Sequence, residues 1–285
     1  HLALSVSIHQ IYTHSPLRNF TYILHSDSAP EQGGPVYCID PFDPAAIADW
    51  LNARGLRLTH IINSLEHHDH VEGNPGLLER YPDVQVLAHE RAQDRVPGFT
   101  GALAAGARLS LDPAHELEVL DTPGHSRGHI CLLYHDHDRD ANGSNRPAPP
   151  AAVLTGDILF NAGVGRCDRG GNVEDLFQTI EEQFATRADS VRVYPGHEYM
   201  GNNLKFTLEY EPQNEAARAL LARYDAAVAG GEYIVSDIGT ERAINTFLRL
   251  DSPELRQELQ RAADLGEDAP AKAAFLQLRR LRDDW

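Results

Sequence analysis

Four short polar clusters in this chain place imidazole and carboxylate groups together, three of them directly after a glycine. They are Glu66-His67-His68-Asp69-His70, Gly124-His125, Gly156-Asp157 and Gly196-His197. Imidazole nitrogen and carboxylate oxygen together suit zinc and other first-row divalent ions. Glycine beside such a group lets the backbone turn sharply beneath it. Each cluster alone has an ordinary explanation. A single histidine at a strand end is usually packed or solvated, and a single aspartate after glycine usually closes a turn or caps a helix. Four in this order point to a shared metal centre. Histidine is also abundant overall, at 15 of 285 residues. A further run, His135-Asp136-His137-Asp138, lies in a polar stretch that ends in Pro-Ala-Pro-Pro, and reads as solvated surface.

Each cluster follows a run that reads as a strand, and strand ends at one rim of a sheet layer can converge side chains on a point. Leu2–His9, Asn19–His25, Val36–Ile39, Leu58–Asn63 and Val84–Ala88 are apolar or alternating runs rich in β-branched and aromatic residues. Leu117–Leu120, Ile130–Tyr134, Val153–Thr155 and Val191–Tyr194 read the same way. Helices are expected at Pro44–Arg54 after the N-cap Asp43, at Gly76–Tyr81 and at Val173–Arg187. Residues 135–150 read as a loop. After Gly201 the strand signals nearly vanish. Glu215–Val228, Pro253–Leu265 and Ala271–Arg282 carry helical spacing. The pattern predicts an α/β part over residues 1–200 and a helical extension over 201–285.

The length of 285 residues suits one large domain or a domain with an extension. A net charge of −17 repels phosphate backbones, so nucleic acid is not an expected partner. No apolar run approaches the ~18 residues of a spanning helix, and the first residues lack a signal-peptide pattern, so no membrane is expected. Cys38, Cys131 and Cys167 are widely spaced, odd in number and outside any CxxC pair. That usage fits a reducing compartment, and the expected location is the cytoplasm. The chain opens on His1 and its one methionine is Met200, which suggests a missing or processed start.

The clusters resemble the metallo-β-lactamase superfamily, whose first motif is His-x-His-x-Asp-His. Within it the chain is similar to glyoxalase II (hydroxyacylglutathione hydrolase). Thr122-Pro-Gly-His125-Ser126, Thr155-Gly-Asp157-Ile-Leu-Phe160 and Pro195-Gly-His197-Glu-Tyr199 carry the likeness. Asn202-Asn203-Leu-Lys205-Phe206 and Asn245-Thr-Phe-Leu-Arg249 extend it into the helical part. The resemblance implies an αββα sandwich followed by a C-terminal helical domain. It also implies two metal sites sharing one aspartate. Asp69, His70 and His197 match one site, His67 and His125 match the other, and Asp157 bridges them. Zinc is the implied ion, with iron or manganese as alternatives, and one or two ions are possible.

The family's first histidine falls on Leu65, which cannot bind a metal. Three ligands plus water is still a working catalytic zinc arrangement. Glu66 and His68 neighbour the gap, but Glu66 occupies a spacer position, so substitution by either is the less favoured reading. The implied chemistry is thioester hydrolysis of an acyl-glutathione or related small molecule. A metal-bound hydroxide is the nucleophile, with Asp69 and Asp157 as catalytic carboxylates. Arg166, Tyr199 and Arg249 match substrate-binding positions. The loop after Arg166 departs from the family: its next aromatic position is Asp168, and the family's Glu-Gly is Arg169-Gly170. Leu65 keeps a different class of function open, that of a catalytically silent metal-binding or sensing member of the fold.

Overall fold

The computed structural model describes residues 6–141 and 146–285. The opening of the expected strand Leu2–His9 and the centre of the expected 135–150 loop lie outside the described residues. Six strands form a first sheet in sequential order: β1 (Val6–Tyr12), β2 (Phe20–Ser26), β3 (Val36–Ile39), β4 (His60–Ile62), β5 (Gln85–Ala88) and β6 (Gly101–Ala102). The pairs β1/β2 and β2/β3 are antiparallel, and β3 through β6 run parallel. The second sheet contains β7 (Arg108–Asp112), β8 (His115–Asp121), β9 (Ile130–Asp136), β10 (Ala152–Gly156), β13 (Arg192–Pro195) and β14 (Ser236–Asp237). Its order is β14-β13-β10-β9-β8-β7, with β10 and β13 parallel. A small hairpin of β11 (Leu159–Phe160) and β12 (Gly163–Val164) follows β10.

Alternation along the strands makes the layers. Phe20, Tyr22 and Leu24 of β2 face Leu117 and Val119 of β8, Leu132 of β9 and Leu154 of β10 in the core between the sheets. Ile23, on the other face of β2, packs with Ile47 and Leu51. Those two residues belong to α2 (Pro44–Ala53), which covers the first sheet together with α4 (Asn74–Arg80). Cys131, Leu133, Val153 and Val193 face outward from the second sheet. They lie beneath α5 (Val173–Gln183), α9 (Pro253–Ala263) and α10 (Ala271–Asp284). Helix, sheet, sheet and helix therefore stack as αββα. Each large apolar side chain fully buried in this way contributes about 1.5–3 kcal/mol. The helices start where the sequence supplies caps: Asp43 accepts from Ala46 N at 3.1 Å, and Asn172 accepts from Asp175 N at 3.0 Å.

Two single turns, α1 (Ala29–Gln32) and α3 (His68–Val71), and the helices α6 (Met200–Tyr210), α7 (Glu215–Ala229) and α8 (Ile238–Ile244) complete the chain. The extension after residue 200 is helical apart from β14, which pairs antiparallel with β13. A two-residue strand carries no alternation for a sequence pattern to show. The segments α6 and β7 also escape the periodicity argument. In α6 most residues are buried, including the polar Asn203 and Thr207, so no clean apolar stripe exists.

At one end of the sandwich the sheets are stitched together. Phe20 N donates to Gly196 O at 2.9 Å, Ile130 N to Ser64 O at 2.8 Å, and the Tyr22 hydroxyl to Pro195 O at 2.6 Å. The strap between β1 and β2 crosses this seam, where Glu198 N donates to Arg18 O at 2.9 Å. Arg18 and the Tyr224 hydroxyl both donate to the buried Glu198 carboxylate.

Candidate metal centre

All four clusters stand at this seam, just past the C-terminal ends of β4, β8, β10 and β13. His67 precedes the single turn α3 with extended backbone, and His70 N donates back to His67 O at 2.9 Å. That tight turn brings His67, Asp69 and His70 into one small region. Two glycines are required by close approach. A Cβ on Gly196 would lie 2.6 Å from Asp157 Oδ1, and one on Gly165 would collide with Asp157 O.

The side chains of the clusters converge. His70 Nε2 lies 3.2 Å from Asp157 Oδ2, 3.3 Å from Asp69 Oδ2 and 3.2 Å from His197 Nε2. His197 Nε2 is 3.2 Å from Asp157 Oδ1 and 3.3 Å from Asp69 Oδ2. On the opposite side of Asp157, His125 Nε2 is 3.3 Å from Oδ2 and 3.0 Å from His67 Nδ1. Asp157 is thus common to two donor groups, one with Asp69, His70 and His197, the other with His67 and His125.

The outer nitrogens decide what the inner ones can do. His197 Nδ1 donates to Leu17 O at 2.7 Å, His125 Nδ1 to Arg166 O at 2.6 Å, and His67 Nε2 to Arg169 O at 3.1 Å. A carbonyl only accepts, so the proton of each neutral ring sits on the outer nitrogen and the inner nitrogen presents a lone pair. His67 Nδ1 and His125 Nε2 then face each other as two acceptors. Asp157 Oδ1 is buried with no hydrogen-bond partner. Lone pairs of His67, His125 and His197 converging on the Asp157 carboxylate suit a divalent cation, so the residues fit the implied metal.

The carboxylates favour positive charge at this point. Burial opposes charge on His70, yet Asp157 and Asp40 lift its pKa well above the ordinary imidazole value. Burial likewise opposes ionisation of Asp157, and His197 and His70 still hold it well below the usual carboxylate range.

Leu65 is fully buried and supplies no donor atom. Neither neighbour replaces it. Glu66 Oε2 accepts from Ser126 Oγ at 3.1 Å, and His68 is exposed and paired with Glu72 at 3.3 Å. The His70 side offers four candidate donor residues and the His67 side three.

Three supporting residues were not singled out by sequence. Asp40 Oδ2 lies 2.9 Å from His70 Nδ1, and the same carboxylate accepts from Ser64 N at 2.7 Å. Asn19 Nδ2 donates to Asp69 Oδ2 at 2.8 Å. His129 is fully buried, which pushes its pKa well below the ordinary value, and its Nε2 accepts from Asp157 N at 3.0 Å. Asp40 follows a strand and precedes proline and Asn19 opens one, but nothing local marks either as a partner of a ligand 30 or 50 residues away.

A cavity of about 400 Å³ opens beside the cluster. Arg166 and Tyr199 line it, and the Tyr199 ring stacks on His197 at 4.8 Å between centroids. Arg249 is placed elsewhere. It does not line the cavity, and its Nε and Nη2 both donate at 3.0 Å to the fully buried Glu211. The cavity instead receives Arg279 and Arg282 from α10. Helical spacing identifies α10 in the sequence but not which of its faces reaches the site. Arg279 Nη1 donates to Val164 O at 2.7 Å and Gly165 O at 3.0 Å, bracing the loop whose Arg166 carbonyl anchors His125. The His135–Asp138 run lies away from this cavity, where His137 pairs with Glu116 at 2.9 Å and His115 with Asp136 at 3.2 Å.

Comparison with known proteins identifies the family and the fold. The family described as hydroxyacylglutathione hydrolase C-terminus matches residues 198–285. The chain is 39% identical over 279 residues to the hydroxyacylglutathione hydrolase of Nitrosococcus oceani, covering 98% of this chain and 99% of that one. It is 37% identical over 282 residues to that of a Polaromonas species, with 98% and 99% covered. Among solved structures, a metallo-beta-lactamase from Staphylococcus aureus superposes with a TM-score of 0.63 at 19% identity, covering 97% of this chain and 71% of that one. ETHE1 from Myxococcus xanthus gives 0.61 at 21% identity, covering 96% and 99%. These two likenesses concern the fold.

Proposed function

Because the chain belongs to the hydroxyacylglutathione hydrolase family, we propose that it hydrolyses an acyl-glutathione or a closely related thioester, using a divalent ion held at Asp157. The observation that carries this reading is the buried, unpartnered Asp157 Oδ1 among imidazoles whose outer nitrogens are all anchored. When bound, such an ion acidifies water toward a pKa of about 7 and polarises a thioester carbonyl. Asp69, His70, His197 and Asp157 hold it on the full side, and His67, His125 and Asp157 on the short side. Zinc is the ion this donor set suits best.

The chain's own residues do the rest. Asn19 occupies Asp69 Oδ2, and no hydrogen bond reaches Oδ1 among the described residues, so Oδ1 is the atom we assign to orienting the attacking water. The water oxygen bonds to the acyl carbon, the carbon–sulfur bond breaks, and the proton the water gives up ends on the departing thiolate. No serine or cysteine nucleophile is needed. Residues 1–200 supply the metal ligands in this reading, and residues 201–285 add Arg279 and Arg282 to the substrate cavity. Arg166 and Tyr199 contact the thiol half of the substrate. Among the described residues no helix is long and apolar enough to cross a membrane. Three unpaired buried cysteines support a reducing, cytoplasmic setting.

Leu65 favours a second reading, in which the chain keeps one ion and senses rather than cleaves. One experiment separates the two. The protein is loaded with zinc, iron(II) or manganese(II) and assayed on a panel of acyl-glutathiones and other thioesters. Metal-dependent hydrolysis that stops on chelation is expected. Inactivity across the whole panel with the metal retained removes the hydrolase and leaves the sensor.

A further inference from the structure

Four guanidiniums line the cavity: Arg166, Arg169, Arg279 and Arg282. Two of them are neutralised by neighbours. Arg166 is gripped by both oxygens of Asp168 at 2.6 and 2.5 Å, and Arg279 pairs with Asp283 at 2.9 Å. For Arg169 and Arg282, no carboxylate lies within ion-pair distance among the described residues. Arg282 reaches only Asn203 Oδ1 at 3.3 Å and the rings of Phe206 and Trp285. Arg169 is exposed and makes no side-chain hydrogen bond among the described residues. Two uncompensated cations in one cavity of a chain with a net charge of −17 mark a local anion site.

Arg169 is fixed close to the chemistry. Its carbonyl accepts from His67 Nε2 at 3.1 Å, so its backbone is tied to a metal ligand. Gly170 at φ +88° and the bond from Gly171 N to Cys167 O at 3.2 Å close the turn just after it. A carboxylate on the thiol half of a substrate would meet the Arg169 guanidinium here.

Resting on the thioesterase reading, we propose that Arg169 binds a substrate carboxylate and so selects thioesters whose leaving thiol carries two carboxylates, the second falling to Arg282. A guanidinium presents parallel donors that match a carboxylate, and such charge-assisted pairs are the strong ones. The role is one of recognition, because the side chain of Arg169 is not needed to hold His67.

The test compares lactoyl thioesters of glutathione, with two carboxylates, and of N-acetylcysteamine, with none. In Arg169→Gln the KM for the glutathione thioester is expected to rise about 10-fold with kcat little changed. The rise for the N-acetylcysteamine thioester is expected to be several-fold smaller, and Arg169→Lys to recover part of the loss. Equal effects on both thioesters, or no effect on either, overturn the proposal. A second measurement separates it from the catalytic reading. Calorimetric binding of S-methylglutathione, which is not cleaved, should weaken by a similar factor in Arg169→Gln even if the wild-type protein hydrolyses nothing. Unchanged binding there overturns the proposal as well.

Discussion

Replacing Leu65 by histidine restores the missing donor and gives the sharpest test of how this centre is loaded. Leu65 has no accessible surface, so losing it from the interior costs about 1.5–3 kcal/mol. Burying an imidazole with no partner adds about 1–3 kcal/mol. The metal-free variant should therefore unfold more readily than the wild type. With metal the sign reverses on the short side, because His67, His125 and Asp157 gain a fourth protein ligand. Loss of a supporting residue around a ligand typically weakens metal affinity by about 10–100-fold, and loss of a ligand should cost at least that much. Leu65→His should accordingly tighten the short side by at least about 10–100-fold, or roughly 1.4–2.8 kcal/mol. The assay is metal content by mass spectrometry after dialysis against chelators of graded strength, with thermal unfolding beside it. The wild type should retain one ion where Leu65→His retains two, and metal should raise the melting temperature of the variant more than that of the wild type. A wild type that holds two ions with equal tenacity refutes the reasoning, as does a variant that still holds one.

Other expectations follow from the same geometry. Asn19→Ala removes the donor to Asp69 Oδ2 and should weaken metal binding on the His70 side by roughly 10–100-fold in a chelator competition; unchanged affinity would show that Asp69 needs no such support. Arg249→Ala strands the buried Glu211 carboxylate and should cost about 3 kcal/mol in chemical denaturation, with KM for a glutathione thioester little changed. A large rise in that KM with stability intact would return Arg249 to the substrate. Burial, then the charges of His25 and Arg54, hold His9 down to about 4, so the folded protein binds that proton more weakly than the unfolded chain does. Its contribution is whole above the unfolded value of about 6.5 and is lost as pH falls toward 4, amounting to about 1 kcal/mol once solvent screening of a half-buried ring is allowed for. Melting curves between pH 7 and 4.5 should show a smaller decline in His9→Gln than in the wild type, and identical declines would remove His9 as the cause.

The candidate donors were legible in the sequence because their residue types and spacing are local. His67, Asp69 and His70 sit within one turn, and His125, Asp157 and His197 each follow a glycine at a strand end. The two sheets were legible for a similar reason, since alternation in β8 marks its buried face and β2 is an apolar run buried on both faces. What escaped depends on contacts made across the fold. Asn19 reaches Asp69 and Asp40 reaches His70 only once the sheets have closed, and no spacing rule connects them. Arg249 lies in a stretch that resembles the family, yet a buried glutamate 38 residues earlier claims its guanidinium. Arg279 and Arg282 sit in a helix whose register was clear but whose docking against the β12 loop was not.

The seam also sets a timetable for the newborn protein. Leu17 and Arg18 must wait for residues 180 positions downstream before His197 and Glu198 arrive to close it. At a synthesis rate of about 5–20 residues per second, that is an interval of roughly 10–40 s. For the greater part of it, until β8, β9 and β10 have been made, the inward rings of Phe20 and Tyr22 lack the second-sheet strands that will face them. The four-donor group on the His70 side is completed only once the ribosome has moved past His197, whereas His67, His125 and Asp157 are all made by residue 157.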